Sequence, residues 1–137
     1  MIDNYCFTCL KIGDKFDAEY VNKLQRMVRK QSDAPFFCFT DDPTGVEMPC
    51  IHMDDKEERD WDNWWPVWCK IKMFNAPELE EFDRKIFFDL DVIIHDDITK
   101  LLLHEHRSRR NTFSLIQSHW RGKAYQMANP TKSLFNS

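Results

Sequence analysis

Apolar residues in this chain come in short runs, each ending in turn-forming or charged residues. Tyr5 to Leu10 reads as a strand that closes at the turn Ile12-Gly13-Asp14-Lys15. From Asp17 the spacing becomes helical: Val21, Leu24 and Val28 share one face, with Tyr20 and Met27 beside it. Ser32-Asp33-Ala34-Pro35 ends that helix, because the residue before a proline leaves the α region. Phe36 to Thr40 is a second strand and Asp41-Asp42-Pro43-Thr44-Gly45 a turn; a short third strand is expected within Val46 to His52. Residues 54–63 are dense in charge and predict a surface loop. Pro66 suits the first turn of a second helix, with Val67, Ile71 and Phe74 on one face, Trp64 and Trp68 on another, and Pro77 at its end. Lys85 to Ile94 is an apolar strand interrupted by Asp89 and Asp91. A short helix over Asp97 to Leu103 and a last strand over Thr112 to Gln117 complete the pattern. Strand, helix, strand, helix, strand predicts an α/β fold: a mostly parallel central sheet flanked by helices.

The 137 residues fit a single domain over 1–137, and 11 Phe and 5 Trp supply ample core material. No stretch approaches the ~20 apolar residues of a membrane span. Ile2-Asp3-Asn4 lacks the basic and apolar regions of a secretory signal. A cytoplasmic protein is expected. Net charge is −4, and the one dense basic cluster, Arg107, Arg109 and Arg110, reads as a solvated loop, so no nucleic-acid partner is expected. The 5 cysteines, an odd number, predict free and mostly buried thiols. Cys6-Phe7-Thr8-Cys9 has C-x-x-C spacing, but residues three apart on a strand face opposite sides, which argues against a shared zinc or a disulfide between them.

The candidate chemistry lies in Asp89-Leu90-Asp91. Alternation along a strand would turn both carboxylates the same way, with Cα atoms roughly 6.5–7 Å apart. Acids at the end of a buried strand need compensation, and a hard divalent cation supplies it. The other D-x-D, Asp60-Trp61-Asp62, sits in a charged run and reads as solvated surface. Open α/β sheets bind ligands at the carboxyl ends of their strands. Thr8 and Leu10, Thr40 and Asp41, and Asp89 and Asp91 all lie at or near such ends. The plainer reading is a strand end whose acids face water or pair with a lysine; lysine or arginine partners on the two carboxylates would remove the metal reading. The tryptophans Trp61, Trp64, Trp65 and Trp68 read as packing residues.

With these pieces placed, the chain resembles the nucleotide-sugar-binding half of a GT-A fold glycosyltransferase. Cys6-Phe7-Thr8-Cys9-Leu10 is similar to the family's first strand, and Tyr20-Val21-Asn22-Lys23-Leu24 to the start of its first helix. Phe37-Cys38-Phe39-Thr40-Asp41 resembles its second strand with the "FTD" ending. Trp68-Cys69-Lys70-Ile71 resembles a "W-x-K-I" helix, Lys85 to Asp97 the metal strand, and Leu134-Phe135-Asn136-Ser137 the start of an "FNSG" segment.

The resemblance implies a UDP- or GDP-sugar donor bound with Mn²⁺ or Mg²⁺, and transfer to a sugar, lipid or protein acceptor. It implies Asp91 as a direct metal ligand, and Asp89 as a ligand or a contact to the donor's ribose and sugar. Thr8, Leu10 and Asp41 would line the nucleoside pocket, Lys70 would lie near the donor phosphates, and Asn136 near the sugar. Lys72 is expected to face solvent. No catalytic residue is identified. The match stops at Ser137, so the acceptor-binding half and its late metal-ligating histidine are expected to be missing. His95, His104, His106 and His119 read as surface histidines, His95 being the nearest in sequence to Asp91. A truncated face would be covered by a second copy or another chain. Two other classes remain: a haloacid-dehalogenase-like phosphatase with Asp89 as nucleophile, and a non-catalytic binding or assembly module.

Overall fold

The structure is a computed structural model. It describes residues 4–53 and 65–102, with side chains of the second stretch from residue 69 onward. The chain divides into two units, Met1–Leu103 and His104–Ser137, and all described residues belong to the first. The charged run with Asp60 and Asp62, the tryptophan side chains, the basic cluster, His104, His106, His119, the expected strand from Thr112 and the proposed sugar contact Asn136 lie outside the described residues.

The order of elements is β1 (Tyr5–Lys11), α1 (Ala18–Arg29), β2 (Phe36–Thr40), β3 (Cys50–His52), α2 (Trp65–Phe74), a 3-10 turn (Pro77–Leu79), β4 (Arg84–Phe87) and α3 (Thr99–Leu102). The four strands form one sheet in the order β3-β2-β1-β4. Every pairing is parallel, so all the carboxyl ends lie along one edge. The expected α/β architecture is present. β1 is central: it pairs β2 from Phe7↔Phe36 to Lys11↔Thr40 and β4 from Tyr5↔Arg84 to Thr8↔Phe87.

Alternation along β1 splits the core in two. Phe7 and Cys9 pack with Phe36, Cys38, Ile86 and Leu90 against α1. Cys6 packs with Phe39, Leu79, Phe82 and Met73 of α2 on the other face. α1 forms because Val21, Leu24 and Val28 recur on one face and are wholly buried. Each such burial contributes about 1.5–3 kcal/mol. Asp17 caps the helix by accepting from the Glu19 N–H at 3.1 Å.

Two expectations need correction. In α2 the buried face is Cys69 and Met73, one helical turn apart, while Ile71 is 58% exposed. The helix has large apolar residues all round, so spacing alone did not select its inner face. The strand expected over Lys85 to Ile94 pairs only as far as Phe87. One more bond, from Phe88 N–H to the Thr8 carbonyl at 3.0 Å, follows it before the backbone turns. Asp89 and Asp91 therefore do not alternate along a strand.

Candidate functional site

The chain runs from β1 through α1 to β2 and β3 on one side, then returns through α2 to β4 on the other side of β1. The connection order thus reverses between β1 and β4. A crevice opens outside the carboxyl ends at such a reversal, and α/β sheets place their ligands there. Asp89 and Asp91 follow the carboxyl end of β4 at this point.

The acids sit in a turn closed by the Val92 N–H, which donates to the Asp89 carbonyl at 3.2 Å. Leu90, between them, is 5% exposed and packs into the α1-side core. One buried leucine thus anchors the turn and leaves its flanking acids outside. Asp91 is exposed. The Lys70 ammonium lies 2.8 Å from Asp89 Oδ1, with both side chains about three-quarters covered (28% and 27% exposed). The same ammonium stands 5.3 Å from the centre of the Phe87 ring, within cation-π range. No ion pair engages Asp91 among the described residues, so only one of the two carboxylates has the lysine partner that argues against metal binding.

The segment beyond the turn is tied to α1. Gln31 donates to the Asp96 carbonyl at 2.9 Å and accepts from the Ile98 N–H at 2.7 Å. The Ile94 N–H approaches Met27 Sδ at 3.4 Å. The Thr99 hydroxyl, and with it the Thr99 N–H that donates to Asp97 at 2.8 Å, holds the Asp97 carboxyl below its ordinary range. His95 is exposed in this segment.

The other expected residues are placed as follows. Leu10 is half-buried near the end of β1 and packs on the α2-side core. Thr8 is fully buried, and its hydroxyl donates to the Ile86 carbonyl at 3.5 Å, so it presents no surface to a ligand. Asp41 follows β2, and both its carboxylate oxygens accept from the Gly13 N–H, at 3.3 and 3.2 Å. Gly13 has φ 70°, the left-handed conformation that glycine adopts without penalty, so Asp41 joins the turns that leave β1 and β2. Thr40 accepts from the Asp42 N–H at 3.1 Å and donates to the Asp42 carbonyl at 2.9 Å, which completes that turn. The structure thus brings Lys70 and Asp89 together beside Asp91 and places Asp41 in a separate turn. Lys70 and Asp89 contact each other directly, a relation that separation in sequence conceals.

Two carboxylates and a lysine can hold a cation and an anion side by side. Among the described residues no group of three His, Cys, Asp or Glu is arranged to hold a metal ion. A divalent ion here would have to keep several water ligands, as Mg²⁺ commonly does. No described helix is long and apolar enough to cross a membrane. No family model, curated protein or solved structure matches the chain.

Proposed function

We propose that this chain binds a nucleotide-diphosphate sugar through a divalent cation at the Asp89–Asp91 turn and acts as the donor-binding part of a GT-A-like glycosyltransferase. The observation that carries this reading is the placement of an exposed acid, Asp91, and a lysine-paired acid, Asp89, at the reversal point of a parallel sheet. The donor set suits a hard cation: carboxylate oxygens, one of them free to ligate without breaking any described ion pair. Asp91 would hold the ion first, and Asp89 would join once Lys70 is drawn away. When bound, such a cation neutralises charge on the leaving nucleoside diphosphate.

Lys70 gives the site its second half. Its ammonium is already committed to an anion, the Asp89 carboxylate. A diphosphate offers a stronger acceptor with the same geometry, so Lys70 would exchange one anion for the other as Asp89 turns to the cation. Donor binding would then separate the Lys70–Asp89 pair. Leu90 and the Gln31 clamp hold the turn while this exchange takes place.

Calorimetry with UDP and GDP, with and without Mn²⁺, tests the proposal. Metal-dependent nucleotide binding that disappears in Asp91→Ala supports it. Absence of nucleotide binding at millimolar Mn²⁺ refutes it, as does binding unaffected by Asp91→Ala. Hydrolysis of a generic phosphate ester, abolished by Asp89→Asn, would instead support the phosphatase reading.

A further inference from the structure

Three thiols stand in one row across the sheet. Register pairs Cys9 of β1 with Cys38 of β2, and Cys38 with Cys50 of β3. All three therefore project from the same face. Cys9 and Cys38 are fully buried, whereas Cys50 is half-buried on β3, the three-residue strand that ends the described sheet. Lys11 lies two residues beyond Cys9 on the same face and is only 8% exposed. Among the described residues no hydrogen bond or ion pair engages its ammonium. Its charge acts on the exposed Asp42 and on the sulfurs of Cys38 and Cys50.

We propose that Cys38 and Cys50 form an oxidisable pair that reacts with hydroperoxides and closes a reversible disulfide between β2 and β3, with Lys11 as the counter-charge of the reacting sulfur. The inference is independent of the proposed sugar-nucleotide site. Partners on neighbouring strands lie about 4.8 Å apart. That separation falls inside the roughly 4.4–6.8 Å window between Cα atoms that a disulfide requires. β3 is the element that yields, being short and paired on only one side within the described sheet.

The row is chemically graded. The neighbouring Cys9 thiol and the Lys11 charge together hold Cys38 below the ordinary thiol range despite burial. Cys9, beside the Cys38 sulfur and buried, is pushed well up, and burial with the neighbouring Cys38 sulfur pushes Cys50 up. The Cys50 thiol donates to the Met48 carbonyl at 3.4 Å, and the Cys38 thiol to the Phe39 carbonyl at 3.9 Å. The middle sulfur is thus the nucleophile and the outer one the resolving group.

The reaction balances with hydrogen peroxide as the oxidant. The Cys38 thiolate attacks one peroxide oxygen; a sulfur–oxygen bond forms, the oxygen–oxygen bond breaks, and hydroxide leaves and is protonated to water. Cys38 is oxidised to the sulfenic acid and peroxide is reduced. The Cys50 sulfur then attacks Cys38, its proton leaves with the sulfenic hydroxyl as a second water, and the disulfide is formed.

The test is peptide mapping of the folded, full-length chain after brief peroxide treatment, under non-reducing conditions. A Cys38–Cys50 linked peptide that a dithiol reductant removes is expected. In Cys50→Ser, a dione probe should instead trap the sulfenic acid on Cys38. Lys11→Met, which removes the charge, should slow oxidation about tenfold at neutral pH. A linkage to Cys9, oxidation of Cys38 only after unfolding in urea, or an unchanged rate in Lys11→Met would each overturn the proposal.

Discussion

The Lys70 ammonium lies 2.8 Å from Asp89 Oδ1, joining α2 to the turn that follows β4. Under the proposed function this pair holds the site ready, so removing the cation should separate two effects. In Lys70→Met, Asp89 loses its competitor, and Mn²⁺ affinity in the absence of nucleotide should rise roughly three- to tenfold. UDP affinity at saturating Mn²⁺ should fall roughly tenfold, because the diphosphate loses a charged donor. Stability should change by less than about 1 kcal/mol, the pair being partly open to solvent. Paired titrations with metal and with nucleotide check this. A parallel loss of both affinities would mean that Lys70 only props the turn.

Gln31 should act at a distance from the acids. Its amide bridges the Asp96 carbonyl and the Ile98 N–H from the end of α1. Gln31→Leu removes both bonds and should destabilise the fold by about 1–2 kcal/mol. Local opening of the segment beyond Asp91 should increase more than global unfolding. Hydrogen exchange at the Ile98 amide, compared with that at core amides such as Phe7, measures the difference. Equal acceleration at both sites would show that the clamp serves the whole fold.

Much of the framework was legible because α1 buries one face at helical spacing, while β1 and β2 are short apolar runs buried on both sides. Val21, Leu24 and Val28 are all wholly buried, and β2 occupies Phe36–Thr40 as expected. The acid turn was not legible. An apolar run from Lys85 to Ile94 looks continuous, yet Ile93 is 77% exposed while Leu90 folds back into the core. A turn that buries one leucine carries no periodic signal. Neither does the thiol row, since register between β1, β2 and β3 is set by which strands become neighbours. Asp41 and Thr8 were singled out by position near strand ends; what position cannot show is that the Gly13 N–H takes up the Asp41 carboxylate and the Ile86 carbonyl accepts from Thr8.

Leu90 gives a direct measure of how the turn is held. Truncation to alanine leaves the acids in place and removes their anchor from the α1-side core. Leu90→Ala should cost about 2–4 kcal/mol by cavity formation, whereas Asp91→Asn, at an exposed position, should stay within about 0.5 kcal/mol. Urea unfolding of both variants tests the contrast. A small loss in Leu90→Ala would mean that the turn is held by its backbone bonds and the Gln31 clamp instead.

The Cys6 thiol predicts how stability falls in alkali. Burial on the α2 side of β1 pushes its pKa up to about 11, partly offset by the nearby Lys85 charge. In the unfolded chain the same thiol ionises near its ordinary value of about 8.5. Above that pH the unfolded state binds fewer protons than the folded state, so stability decreases as pH rises. The contribution is fully present below about pH 8.5 and is lost as pH approaches the folded value. Its full size is on the order of 3 kcal/mol, from about 1.4 kcal/mol per unit of displacement. Cys6→Ala lacks the titrating group, so its stability should fall less steeply than wild type between about pH 9 and 11. Urea midpoints measured under reducing conditions across that interval check the slope. Coincident slopes would mean that the folded protein lets this sulfur ionise as readily as the open chain does.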